Sequence, residues 1–142
     1  MPQKTVVDSS VIVKWLNTDN EQNLEQADRI LKEARDGKVE IIAPELSKYE
    51  VGNVLFFGKK LTSEQANIPL YWLFHLPITF ISLSEELAHK TFSIAERFKI
   101  TFYDAAFLAL AELENAVLVT DNIKHQGKTK EVKVIPLAKY GR

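Results

Sequence analysis

The stretch KTVVDSSVIVKW, residues 4–15, decides the fold. Thr5, Val6 and Val7 are strand formers, and Asp8 ends their run. Ser9 and Ser10 are helix-start residues, and Val11, Ile12 and Val13 follow at once. These residues read as a short buried strand over 4–8 and a short helix over 9–17 that begins on Ser9 or Ser10. The acid between them is the informative residue. An ionised carboxylate is costly to desolvate without a partner. Asp8 therefore requires a backbone cap, a basic side chain or a metal ion.

Downstream, short apolar runs alternate with helical periodicity. Leu24, Ala27, Ile30, Leu31 and Ala34 form one stripe of a helix over 21–36, and Gly37 supplies its stop. Val39 to Ala43 read as a strand closed by Pro44. Helices are expected over 45–59, ending at Gly58, and over 63–75, begun by Thr62 or Ser63. Ile78 to Leu83 form a third strand, and Ser84 caps a helix reaching Phe98. Thr101 begins a helix to about Asn115, and strands follow at Ala116 to Thr120 and Val132 to Ile135. This alternation argues for an α/β sandwich with a mainly parallel central sheet. In such sheets a site lies at the carboxyl ends of the strands. Asp8 and Asp121 both fall there by pattern alone.

The chain has 142 residues without repeats or linkers, which reads as a single domain over 1–142. It has no cysteine, so neither disulfides nor thiolate metal sites enter, and a reducing compartment fits. No apolar run approaches the length of a membrane span, and residues 1–4 lack the pattern of a signal peptide. No membrane association and a cytoplasmic location are expected. The net charge of −1 excludes a global basic field. Charge is nevertheless uneven: Lys124, Lys128, Lys130, Lys133, Lys139 and Arg142 make the C-terminus basic, either as a solvated tail or as a phosphate-binding strip.

Four acids interrupt otherwise apolar or structural patterns. Leu46, Glu50 and Val54 share a helix face, so a carboxylate breaks an apolar seam. The bland account makes Glu50 a boundary residue paired with Lys14 or Lys48. Asp104 is followed at i+3, i+4 and i+7 by Phe107, Leu108 and Ala111, and Thr101 lies three residues before it at capping-box spacing. Asp121 follows AVLVT directly and could form an Asx turn. Asp8 has only Ser10 as an obvious local partner. If the sheet gathers all four around one crevice, they need a cation, since two like charges about 4 Å apart repel by about 4 kcal/mol at an effective dielectric near 20. Oxygen ligands alone select Mg²⁺ or Mn²⁺. His75, His89 and His125 lack zinc-ligand spacing. A hard divalent ion in an acidic crevice suits phosphodiester hydrolysis. No Gly-rich phosphate loop is present, and Ser9 and Ser10 have no nearby His to activate them.

At these residues the sequence resembles the PIN-domain family, and within it the VapC-like toxins of toxin–antitoxin pairs. VVDSSVIVKW looks like the family's opening block with Asp8 as its first acid, and LSKYEVGNVL like its second with Glu50. ITFYDAAFLALAE is similar to the third block with Asp104, and AVLVTDN corresponds to the last. The blocks occur in order and span nearly the whole chain. The resemblance implies a PIN-like three-layer α/β/α sandwich and an Mg²⁺-dependent endoribonuclease in which water attacks RNA phosphodiesters, leaving a 3′-hydroxyl and a 5′-phosphate. Asp8, Glu50, Asp104 and Asp121 would be catalytic and hold the metal, with Asp8 and Asp104 as direct ligands. Ser10, Lys14 and Asn122 would contact substrate, with Lys14 neutralising phosphate or holding Glu50. A homodimer and a cognate antitoxin are the implied partners. Tyr71, Trp72 and Phe74 in IPLYWLFHLPITF exceed what one core stripe needs, and part of that segment is expected to face a partner.

One departure matters. The family's last block reads Thr, any residue, Asp, but here Thr120 is followed by Asp121 and then Asn122. Either Asp121 turns inward and supplies the fourth carboxylate, the reading favoured here, or Asn122 supplies a neutral oxygen. The same departure sustains the alternative of a non-catalytic PIN-fold module that binds RNA or a protein. A phosphatase using Asp8 as covalent acceptor is disfavoured, because a second Asp is wanted where Ser10 stands.

Overall fold

A computed structural model of the chain describes residues 1–122 and 129–142. Five strands form one parallel sheet: β1 (Gln3–Val7), β2 (Val39–Pro44), β3 (Ile78–Ile81), β4 (Val117–Thr120) and β5 (Val134–Pro136), in the order β3-β2-β1-β4-β5. Among the described residues six α-helices complete it: α1 (Ser9–Leu16), α2 (Leu24–Arg35), α3 (Leu46–Asn53), α4 (Ser63–Leu73), α5 (Glu85–Phe98) and α6 (Phe102–Leu113). The period-2 alternation of strand side chains divides the core into two layers. Val7, Ile41, Ala43 and Val119 face α1–α4, whereas Val6, Ile42 and Leu118 face α5 and α6. The architecture is the α/β/α sandwich expected from the pattern.

α6 is buried at every residue from Ala105 to Ala111, packed between the sheet and α5. That explains an apolar run with no polar face. On the other side Trp15 ties α1 to α2, its indole N–H donating to the Ala27 carbonyl at 2.8 Å.

Several boundaries differ from the sequence reading, each for a local reason. β1 stops at Val7 rather than Asp8, because Asp8 takes the N-cap position of α1, which begins on Ser9 as expected. α2 starts at Leu24 rather than 21, since Asn20 and Asn23 adopt left-handed conformations (φ 59° and 58°) and turn the chain first. The helix expected over 45–59 is α-helical only to Asn53; Val54–Gly58 forms a wider π turn closed by the Lys59 amide on the Val54 carbonyl. β3 ends at Ile81 rather than Leu83, and β5 runs over Val134–Pro136 rather than 132–135. Lys124, Lys128 and His125 lie outside the described residues. Among the described residues no helix is long and apolar enough to cross a membrane.

Register fixes what meets at the carboxyl edge. Val7 pairs with Val119, so the next residues, Asp8 and Thr120, emerge side by side. Val6 pairs with Ile42, which brings the end of β2 and the start of α3 to the same edge. α6 leads directly into β4, so it returns from that edge and its first turn, with Asp104, lies there too.

Candidate active site

Asp8 is 7% exposed at the junction of β1 and α1, and both its oxygens are taken. Ser10 Oγ donates to Oδ1 at 2.5 Å, and Thr120 Oγ1 donates to Oδ2. Each hydroxyl also receives a backbone amide from the turn after β4: Asp121 N–H reaches Ser10 Oγ at 3.1 Å, and Asn122 N–H reaches Thr120 Oγ1 at 2.9 Å. Two consecutive amides are thus relayed through two hydroxyls onto one carboxylate. Burial pushes the Asp8 carboxyl above the ordinary carboxylate range; these hydroxyls and the amides of Val11 and Ser10 oppose that shift without cancelling it.

Glu50 stands on α3 and accepts from Ser9 Oγ at 2.7 Å through Oε1. Its carboxyl is also pushed up, first by burial and then by the negative charges of Asp104 and Asp8, with the Ser9 hydroxyl opposing. Glu50 thus lies within electrostatic reach of both Asp104 and Asp8. Asp104 lies in the first turn of α6, where Thr101 Oγ1 accepts its backbone amide at 3.0 Å. The cap uses the amide of Asp104, and no hydrogen bond or ion pair engages its carboxylate among the described residues.

Asp121 is placed differently. Its Oδ2 is 2.9 Å from Lys14 Nζ, and its Oδ1 accepts from Asn23 Nδ2 at 3.1 Å. Lys14 also pairs with Glu21 at 2.8 Å, and Glu21 with Lys59 at 2.6 Å. The expectation that Lys14 neutralises a phosphate or holds Glu50 needs correction. Its side chain is 1% exposed and its ammonium is committed to Glu21 and Asp121, because a buried cation must find carboxylates within the fold. Lys48 pairs with Glu45, not Glu50. Ser10 turns its hydroxyl to Asp8, and Asn122 is exposed beside Thr120. The structure therefore brings Asp8, Glu50 and Asp104 together and sets Asp121 in a separate network.

Ser9, Thr120 and Glu21 carry this geometry without having been singled out as site residues. Thr120 had a legible signal, since a hydroxyl closing a buried strand must find an acceptor. The partners of Ser9 and Glu21 lie too far away in sequence to be read.

As the side chains are placed, no three His, Cys, Asp or Glu residues among the described ones form a group that holds a metal. The donor chemistry still fits a hard cation. The donors are carboxylate oxygens, and both the burial and the neighbouring negative charges that raise the Glu50 carboxyl would be offset by a divalent ion. His75 stacks on Tyr71 and His89 lies beside Glu85 on the surface, so neither joins the acids.

Comparison with known proteins bears on this arrangement. The PIN domain family model matches residues 5–130. No curated protein sequence matches the chain. Among solved structures it is similar to VapBC2 from Rickettsia felis bound to a DNA fragment from its promoter, with TM-score 0.69, 15% identity, and 94% of this chain and 98% of that chain covered. It is also similar to a toxin–antitoxin complex from Klebsiella pneumoniae, with TM-score 0.64, 16% identity and coverage of 94% and 97%. VapC20 from Mycobacterium tuberculosis, described as a sarcin–ricin loop cleaving toxin, aligns with TM-score 0.65, 13% identity and coverage of 91% and 98%. At these identities the likeness is one of fold.

Proposed function

The chain belongs to the PIN-domain family, and we propose that it is a metal-dependent endoribonuclease, the toxin of a VapBC-type toxin–antitoxin pair acting in the cytoplasm. The observation that carries this reading is that Asp8, Glu50 and Asp104 all lie at the carboxyl edge of a parallel sheet, where Ser9, next to Asp8, donates to Glu50 and the charges of Asp104 and Asp8 add to the burial that raises the Glu50 carboxyl. Asp8, Glu50 and Asp104 would hold Mg²⁺ or Mn²⁺, which when bound lowers the pKa of water and offsets charge on a phosphoryl oxygen. Asp8 is fixed in orientation by Ser10 and Thr120. Glu50 keeps Oε2 without a hydrogen bond among the described residues, and its raised carboxyl suits it to take a proton from the attacking water at that atom. Likeness in fold to a toxin described as cleaving the sarcin–ricin loop supports cleavage, and likeness to toxin–antitoxin complexes supports an antitoxin partner.

Incubation of purified protein with RNA tests this directly. Cleavage is expected with Mg²⁺ or Mn²⁺, lost in EDTA and in Asp104→Asn. A non-catalytic module that binds RNA or a protein is the second reading, favoured by one observation: Lys14 pairs with Asp121 and takes a fourth carboxylate out of the crevice. RNA binding without cleavage in either metal would establish that reading instead.

A further inference from the structure

Ser10 and Lys14 lie four residues apart on α1 and so share one helix face. Both hold Asp121: Ser10 Oγ accepts its backbone amide and Lys14 Nζ pairs with its carboxylate. Lys14 is itself held by Glu21, and Glu21 by Lys59, which follows the π turn after α3 and also donates to the Asp19 carbonyl. The chain of charges runs from the end of the helix segment that carries Glu50 to the turn whose amides serve Asp8. Lys14 is buried at its centre, so it has no ammonium to offer a phosphate.

We propose that Lys14 is a positioning residue for the acidic crevice: by holding the Asp121 carboxylate it fixes the turn after β4, and that turn seats the Ser10 and Thr120 hydroxyls on the two oxygens of Asp8. The consequence for metal binding rests on the nuclease reading above. The consequence for the turn does not.

Coulomb's law alone predicts that removing a positive charge near an acidic cluster tightens cation binding. Positioning predicts the opposite sign, since loss of the groups that orient a ligand weakens affinity about 10- to 100-fold. Calorimetric titration of the full chain with Mn²⁺ should show Lys14→Met weakened at least about tenfold. Asp121→Asn should be weakened similarly, and the double variant no further than the worse single, because the two residues act as one unit. Asp121→Asn loses a negative charge, which weakens cation binding by Coulomb's law as well, so if Lys14→Met does not fold, this variant carries the test through amide exchange rather than through Mn²⁺ affinity. In parallel, amide hydrogen exchange should accelerate at Asp121 and Asn122 in the variants while Val119 stays protected. Unchanged or tighter Mn²⁺ binding overturns the proposal, as do additive losses in the double variant or unchanged exchange. Wild-type protein that neither binds Mn²⁺ nor cleaves RNA overturns the nuclease reading, and exchange at Asp121 and Asn122 then decides on its own whether Lys14 fixes the turn.

Discussion

Thr120 donates its hydroxyl to Asp8 across 112 residues of sequence and takes the Asn122 amide in return. The parallel pairing of Val7 with Val119 makes this contact unavoidable, since the residues that follow each strand emerge together. A fully buried hydroxyl thereby joins a strand end, a turn and the most buried acid of the site.

Thr120→Val keeps the shape and removes the hydroxyl. It removes the hydrogen bond to a buried oxygen of Asp8, a loss of about 1–3 kcal/mol of stability. Urea denaturation should show that loss, and RNA cleavage should fall at least about tenfold. Thr120→Ser retains the hydroxyl and should recover most of both. A Val variant as stable and active as wild type would remove Thr120 from the site.

Glu21 sets a stability dependence on the acid side. Burial pushes its carboxyl up, but hydrogen bonds from Lys14 and Lys59 and their charges outweigh it, so it lies below its ordinary value of 4.5. A carboxyl lowered in the folded state contributes stability that is full above that value and fades as pH falls through the lowered one. Denaturation midpoints of wild type and Glu21→Gln, compared from pH 6 down to 3, should converge as the pH drops below 4.5. A gap that stays constant would show that the carboxylate form of Glu21 adds nothing.

The strands were legible because fully buried parallel strands read as short apolar runs. The layers followed from alternation with helices. The π turn at Val54–Gly58 was not legible, since its apolar residues carry the same periodic signal as a regular helix. Asp8, Glu50 and Asp104 stood out as acids where apolar or capping roles were expected, and the fold brings them together. The partnership of Lys14 with Asp121 was hidden, because nothing local distinguishes a buried lysine from a solvated one and its partner lies near the other end of the chain.

The α4 region exposes Ile68, Tyr71, Trp72 and Phe74, each at least half accessible. Leu73 and Pro69 supply its core contacts, so the aromatics are surplus to packing. Neighbouring exposed apolar side chains of this size mark an association surface, and a second copy of the chain is the expected occupant. Sedimentation equilibrium at tens of micromolar should give the dimer mass. Trp72→Ala should raise the dimer dissociation constant about thirtyfold, or about 2 kcal/mol, with circular dichroism unchanged. A monomer for wild type would rule the dimer out.

Glu50→Gln should stabilise the metal-free protein while disabling it. Burial first, then Asp104 and Asp8, raise the Glu50 carboxyl, so its ionised form is held at a disadvantage in the folded state. For an acid raised on folding, stability is highest while it stays protonated and is lost as pH rises from the ordinary value of 4.5 through the raised one. Gln removes that loss and keeps the oxygen that accepts from Ser9. In EDTA at neutral pH the variant should melt about 1–4 °C above wild type, and the difference should shrink as pH falls toward 4.5. Mn²⁺ should then reverse the order, raising the Tm of wild type through binding to the folded state and raising that of the variant less. RNA cleavage by the variant should fall about 100-fold or more. A variant that melts below wild type in EDTA would show that burial and the neighbouring acids do not disfavour the ionised Glu50 carboxylate, and the electrostatic argument for a cation beside it would go.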